Sequence, residues 1–253
     1  MFEIIRHIRD DFASIDRRAA FALVYTAVGM ACIFYLRNPE YVLPIFRRTG
    51  FADLGETIAY SSANNLPALA YWVFVSMVFY TVVPVLFVRF VFRHNLRDYG
   101  VNFRLEKGFW KLLALSIAIM LPLVYWMSTT AGFEARYPFL KVFNGARYFS
   151  STLLIWELIY LIQFVGLEFF FRGFLLHSLR PTLGLYSIFV MMVPYCMIHF
   201  GKPMPETFAA IFAGLFLGWL SFKNGNIWMG LVLHCVVAFS MDILALYNKG
   251  LLF

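Results

Sequence analysis

The run Trp156-Glu157-Leu158-Ile159-Tyr160-Leu161-Ile162-Gln163-Phe164-Val165-Gly166-Leu167-Glu168-Phe169-Phe170-Phe171-Arg172-Gly173-Phe174-Leu175-Leu176 decides the reading of this chain. It is apolar over a length that crosses a bilayer core, about 20 residues at about 1.5 Å each. Yet it carries Glu157, Gln163, Glu168 and Arg172. A charge at mid-bilayer costs roughly 2.5–3.5 kcal/mol on insertion scales, so such residues pair, face water or do chemistry. Glu168 and Arg172 are four apart, share a helix face and can form an ion pair. Glu157 stands eleven residues before Glu168, three turns back, and is expected on nearly the same face. Gln163 falls off it.

Six more apolar runs surround this one. The seven candidate spans are 19–36, 69–92, 110–130, 150–176, 183–200, 206–222 and 227–247. The whole chain of 253 residues is 62% hydrophobic, 14% charged and 20% aromatic, with a mean hydropathy of +0.74. Ordinary globular domains run about 45–50% apolar and about 25% charged. Disordered chains, disulfide scaffolds and coiled coils are excluded by that balance. The expected fold is all-α, a multi-pass transmembrane bundle of about 7–8 helices. A single membrane domain is expected over 19–253.

Residues 1–18 alternate charge (Arg6, Arg9, Asp10, Asp11, Asp16, Arg17, Arg18) with Phe2, Ile4, Ile5, Ile8, Phe12 and Ile15. The pattern predicts an interfacial amphipathic helix. The 37–68 segment, with Pro39, Pro44, Gly50, Gly55 and Pro67, reads as the longest polar loop. A net charge of +7 reflects basic residues between apolar runs, so membrane topology explains it better than nucleic acid does. With the N-terminus inside, twelve Lys/Arg fall on the cytoplasmic side and eight outside. That bias predicts a multi-pass protein of the cell (inner) membrane with a cytoplasmic N-terminus. Cys32, Cys196 and Cys235 lie in apolar runs without metal spacing and read as small buried hydrophobes.

The ionisable side chains gather after residue 150: Glu157, Glu168, Arg172, His199, Glu206, His234 and Asp242. Pro194 kinks the fifth run one turn before His199, and Gly201, Pro203 and Pro205 end it. Glu206 opens the next helix, where an acid also suits the dipole. Asp242 is two turns beyond His234 but about 80° round the helix, so a direct bond between them is not expected on a straight helix. Glu and His together can activate water, a second His can donate to a developing oxyanion, and Arg can hold a carboxylate ionised. Two His and one Glu could instead bind zinc, but there is no HExxH spacing. No cofactor is predicted.

Glu168-Phe-Phe-Phe-Arg172-Gly-Phe-Leu resembles the first motif of the CPBP family of intramembrane proteases, which includes CAAX prenyl endopeptidases and bacteriocin-processing or self-immunity proteins. Tyr195 through His199 resembles its second motif and His234 its third. Leu96-Arg97-Asp98-Tyr99-Gly100-Val101 resembles the short segment ahead of the family's core, here expected at about 150–247. The resemblance implies a bundle of about eight helices and a glutamate-dependent endopeptidase acting on a peptide or membrane-protein substrate. It implies catalytic roles for Glu168, His199 and His234, with Arg172 orienting. Leu167 stands where the family has the first Glu of a pair, and Ala238 where it has a polar partner four after the third-motif His. Glu206 is the candidate substitute acid, and Asp242 a second orienting residue. Two other readings stay open: an inactive CPBP-like scaffold or immunity protein, and a small proton-coupled transporter using Glu157, Glu168 and Asp242.

Overall fold

The computed structural model describes residues 13–60, 65–105, 107–141 and 151–252. Ten helices account for the described chain. They are α1 (Arg17–Leu36), α2 (Pro39–Arg48), α3 (Ala52–Tyr60), α4 (Leu66–Val91), α5 (Phe109–Ser128), α6 (Ala131–Arg136), α7 (Thr152–Leu183), α8 (Tyr186–Met197), α9 (Met204–Asn224) and α10 (Trp228–Asn248). No strand occurs among the described residues. Six of the helices, α1, α4, α5, α7, α9 and α10, are long and apolar enough to cross a membrane. The protein is an all-α, multi-pass membrane bundle.

Three expectations need correction. The fourth run does not stop at 176; α7 continues to Leu183 as one helix of 32 residues. The fifth run yields only the 12-residue α8, about 18 Å at 1.5 Å per residue and too short to span. Its C-terminal end unwinds after Met197 into a turn in which Gly201 takes φ 85°. The supposed polar loop 37–68 also holds two short helices. Asn38 caps α2 by accepting from the Glu40 amide at 3.1 Å, with Pro39 at the first turn, where its missing N–H costs nothing. Most of the predicted interfacial helix over 1–18 lies outside the described residues. Its end is visible as the N-cap of α1, where Asp16 accepts from the amides of Arg18 and Ala19.

Helix α7 is the axis. In its spanning window 61% of residues are buried, against 22–44% in the other five spans, so it is the one span surrounded by protein. Phe169–Leu175 widens into π-helical turns, a form that recurs where a helix carries function. Phe170, Phe171, Phe174 and Leu175 are fully buried there. Gly173 is required at this point, because a Cβ would sit 2.6 Å from the Tyr99 carbonyl oxygen. That contact belongs to the 96–101 segment. Its Gly100 carbonyl accepts from the Ile227 amide at 3.3 Å, and Asn102 donates to the Gly225 carbonyl at 2.5 Å. Asn226 in turn donates to the Arg104 carbonyl at 3.0 Å. The segment is thus a strap that fixes the α9–α10 turn against α7. Large side chains such as Phe74, Trp110 and Tyr125 remain exposed on the outside, as a lipid-facing surface requires.

Candidate active site

Glu168, the last α-helical residue before the π-turns, is fully buried. Its Oε1 accepts from Arg172 Nη1 at 3.0 Å, the pairing expected from the four-residue spacing. The same oxygen lies 2.6 Å from His234 Nδ1 on α10. Gly230, one turn before His234, makes this approach possible: a Cβ there would collide with the Glu168 carboxylate. Glu157 does not join this set. It lies beside Asp242, and Asp242 Oδ2 accepts from Trp156 Nε1 at 3.1 Å. Asp242 therefore makes its bond to α7 rather than to His234, in keeping with its angular offset. The single face predicted for Glu157, Glu168 and Arg172 is broken into two clusters because α7 is buried on several sides at once.

The residue that reasoning from spacing did not single out is Tyr195. Its hydroxyl is 2.8 Å from His234 Nε2, and its ring is covered by the Arg172 guanidinium at 3.8 Å from the centroid. Its backbone carbonyl accepts from His199 Nδ1 at 2.9 Å. An aromatic four residues before a helix-terminal His was the only sequence signal. Tyr195 thus binds both histidines, one through its side chain and one through its backbone.

His199 sits in the turn after α8. Donation of Nδ1–H to the Tyr195 carbonyl fixes the tautomer and leaves Nε2 as an acceptor. Burial pushes its pKa down to about 2, and the nearby Lys202 adds to the effect, so the ring is neutral at ordinary pH. Thr207 donates to the His199 carbonyl at 2.8 Å and ties the turn to α9. Glu206, in the first turn of α9, accepts from Tyr137 Oη at 2.8 Å and pairs with Lys202 Nζ at 2.5 Å. Burial and the Glu206 carboxylate together raise the Tyr137 phenol well above its usual range, so Tyr137 is a permanent donor.

A cavity of about 1040 Å³ runs between α1, α4, α5, α7, α9 and α10. Tyr195, His199, Lys202, Glu206 and His234 all line it, as do Leu167 and Ala238. Glu168, Arg172 and Asp242 do not. The walls are chiefly apolar, with Arg37 and Arg136 among the lining cations. Each guanidinium rests on a ring of the same wall, Arg37 on Phe34 at 5.7 Å and Arg136 on Phe139 at 5.2 Å. The size matches clefts that hold small molecules or short peptides.

Residues 149–240 match the family model described as type II CAAX prenyl endopeptidase Rce1-like. This segment is similar to that family. The match agrees with the resemblance carried by Glu168, Arg172, His199 and His234, all of which fall inside it. No curated protein and no solved structure matches the chain.

Proposed function

We propose that this chain is an intramembrane endopeptidase that hydrolyses a peptide bond in a membrane-associated protein or peptide with water activated by carboxylate and imidazole groups. The observation that carries the reading is the convergence of His199, Glu206 and His234 on one large, mainly apolar cavity inside a membrane bundle. The Rce1-like match over 149–240 supports a peptidase at the level of chemistry.

The roles follow from access. His199 offers a neutral Nε2 that can accept from the attacking water. Glu206 is the carboxylate that reaches the cavity; with Tyr137 and Lys202 fixing its oxygens, it helps to hold that water. Glu168 is too deep to touch substrate and acts as a positioning residue for His234. Arg172 pairs with Glu168 and holds the Tyr195 ring. Asp242 braces α10 against Trp156, away from the chemistry. Arg37 and Arg136 favour a substrate with an anionic end beside an apolar stretch. The twelve-to-eight bias of basic residues argues for a cytoplasmic N-terminus in the cell (inner) membrane.

The test is a quantitative comparison of membrane and released peptides in cells carrying wild type, His199→Ala, His234→Ala or Glu206→Gln at matched protein levels. A product present with wild type and lost with both histidine variants supports the reading. Identical peptide profiles from folded variants would reject it.

A further inference from the structure

His234 lines the cavity, and each of its ring nitrogens faces a polar neighbour. Nδ1 lies 2.6 Å from Glu168 Oε1, and Nε2 lies 2.8 Å from the Tyr195 hydroxyl. The Glu168 carboxylate, paired with Arg172 at 3.0 Å, is an acceptor only; its approach to Nδ1, an ion-pair contact not aligned as a hydrogen bond, favours the tautomer with the imidazole proton on Nδ1. Nε2 is then an acceptor, and the Tyr195 O–H donates to it. The order carboxylate, imidazole, hydroxyl is that of a base-activated hydroxyl oriented by a third group. Glu168 has no route of its own to a substrate, because the crevice around it has no room for a water molecule. Tyr195 and His234 both line the cavity, and the Tyr195 hydroxyl covers the Nε2 end of the imidazole.

We propose that Tyr195 is a catalytic residue, the atom through which His234 exchanges its proton with the attacking water and the departing amine. The inference rests on the hydrolase reading above and adds the proton path. As the water oxygen bonds to the peptide carbonyl carbon, one O–H stays hydrogen-bonded to His199 Nε2 while the other breaks and its proton goes to Tyr195 Oη. The phenolic proton moves to His234 Nε2, and the carbonyl π pair moves onto its oxygen. The imidazolium formed is stabilised by the Glu168 carboxylate. When the tetrahedral species collapses, the C–N bond breaks and its electron pair goes to nitrogen. His234 returns its proton to Tyr195, and Tyr195 delivers one to that nitrogen. Water is the only co-reactant, and the enzyme ends as it began.

The geometry holds the phenol in place for this task. The Arg172 guanidinium lies over one face of the ring, and Phe171 meets it edge-on with centroids 5.4 Å apart. Tyr195 is only 1% exposed although it lines the cavity, so it is shielded from bulk water. A phenol that served packing alone would have no need of a buried ion pair behind its hydrogen-bond partner.

The test uses the full chain, purified and reconstituted in phosphatidylethanolamine–phosphatidylglycerol vesicles. The probe is a pool of N-palmitoylated decapeptides of randomised sequence, with products read by mass spectrometry. Wild type, His199→Ala, Tyr195→Phe and Tyr195→3-fluorotyrosine are compared, with thermal unfolding as the folding control. The expected result is release by wild type, none by His199→Ala, and a loss of about 10²-fold or more in kcat with unchanged KM for Tyr195→Phe. The fluorinated phenol, which keeps its hydroxyl but is more acidic, moves the pH–rate profile to lower pH. His234→Ala added to Tyr195→Phe costs little beyond either change alone, because the two act as a unit. Wild-type kcat in a folded Tyr195→Phe, with His199→Ala still inactive, overturns the relay and leaves the hydrolase standing. If Tyr195→Phe does not fold, an unshifted profile in the fluorotyrosine protein overturns it instead. No release by any protein, wild type included, removes the hydrolase reading and the relay with it.

Discussion

Two carboxylate–cation pairs, Glu168–Arg172 and Glu206–Lys202, flank the candidate site, and they obey different physics. In the inner one, Glu168 and Arg172 have side chains only 0% and 1% exposed, and both are locked between α7 and α10. In the outer one, Glu206 and Lys202 keep 13% and 21% of their side-chain surface and sit where a helix begins. Both are i,i+4 pairs on a helix or its entry turn, so spacing alone would rank them equal. Burial separates them. Removing one partner of a buried pair leaves a charge that water cannot reach, whereas a partly wet pair can be resolvated.

The largest expected effect follows directly. Arg172→Ala should destabilise the protein by about 3–5 kcal/mol, read as a collapse of thermal stability in detergent or a failure to accumulate. An Arg172→Ala protein that unfolds at the wild-type temperature would erase the distinction between the clusters. Gly230→Ala comes next. Its new methyl must displace the Glu168 carboxylate, at about 1–3 kcal/mol for overpacking, and peptide release should fall because His234 loses its orienting contact. Thermal unfolding beside product release measures both. Lys202→Ala should cost under about 1 kcal/mol, with stability near wild type; a loss as large as that of Arg172→Ala would show that the outer pair is buried too.

The smallest effect is one of pH. The His199 ring has its folded pKa depressed to about 2, below the ordinary value near 6.5. The unfolded chain therefore takes up a proton that the folded one refuses, so this residue's contribution is present above about pH 6.5 and lost as pH falls toward 2. His199→Gln should make stability less sensitive to acid over that range, measured as unfolding temperature against pH. An unchanged slope would mean that the ring is not held neutral.

The sequence made the bundle legible because lipid imposes a length: six apolar runs of about 20 residues could be little else. It hid the shortness of α8, since the apolar residues run past Met197 while Gly201, Pro203 and Pro205 keep the backbone that follows from continuing the helix. The Glu168–Arg172 pair was legible because both lie on one turn. Its contact with His234 was not, because it joins residues 66 apart and depends on Gly230, which carries no chemistry. Tyr195 was legible only as an aromatic; one buried Tyr among many gains meaning from what its oxygen touches. The angular argument on Asp242 excluded a bond to His234, but could not reveal Trp156 as the partner.

The central claim is that water is the nucleophile at this cavity. The direct measurement is peptide release from reconstituted wild-type and His199→Ala protein in oxygen-18 water, with the randomised palmitoylated pool as substrate. Hydrolysis predicts one oxygen-18 atom in the newly formed carboxyl terminus of each product with wild type, and no product with His199→Ala. Absence of any cleavage by the folded wild-type protein, or equal cleavage by His199→Ala, would contradict the account.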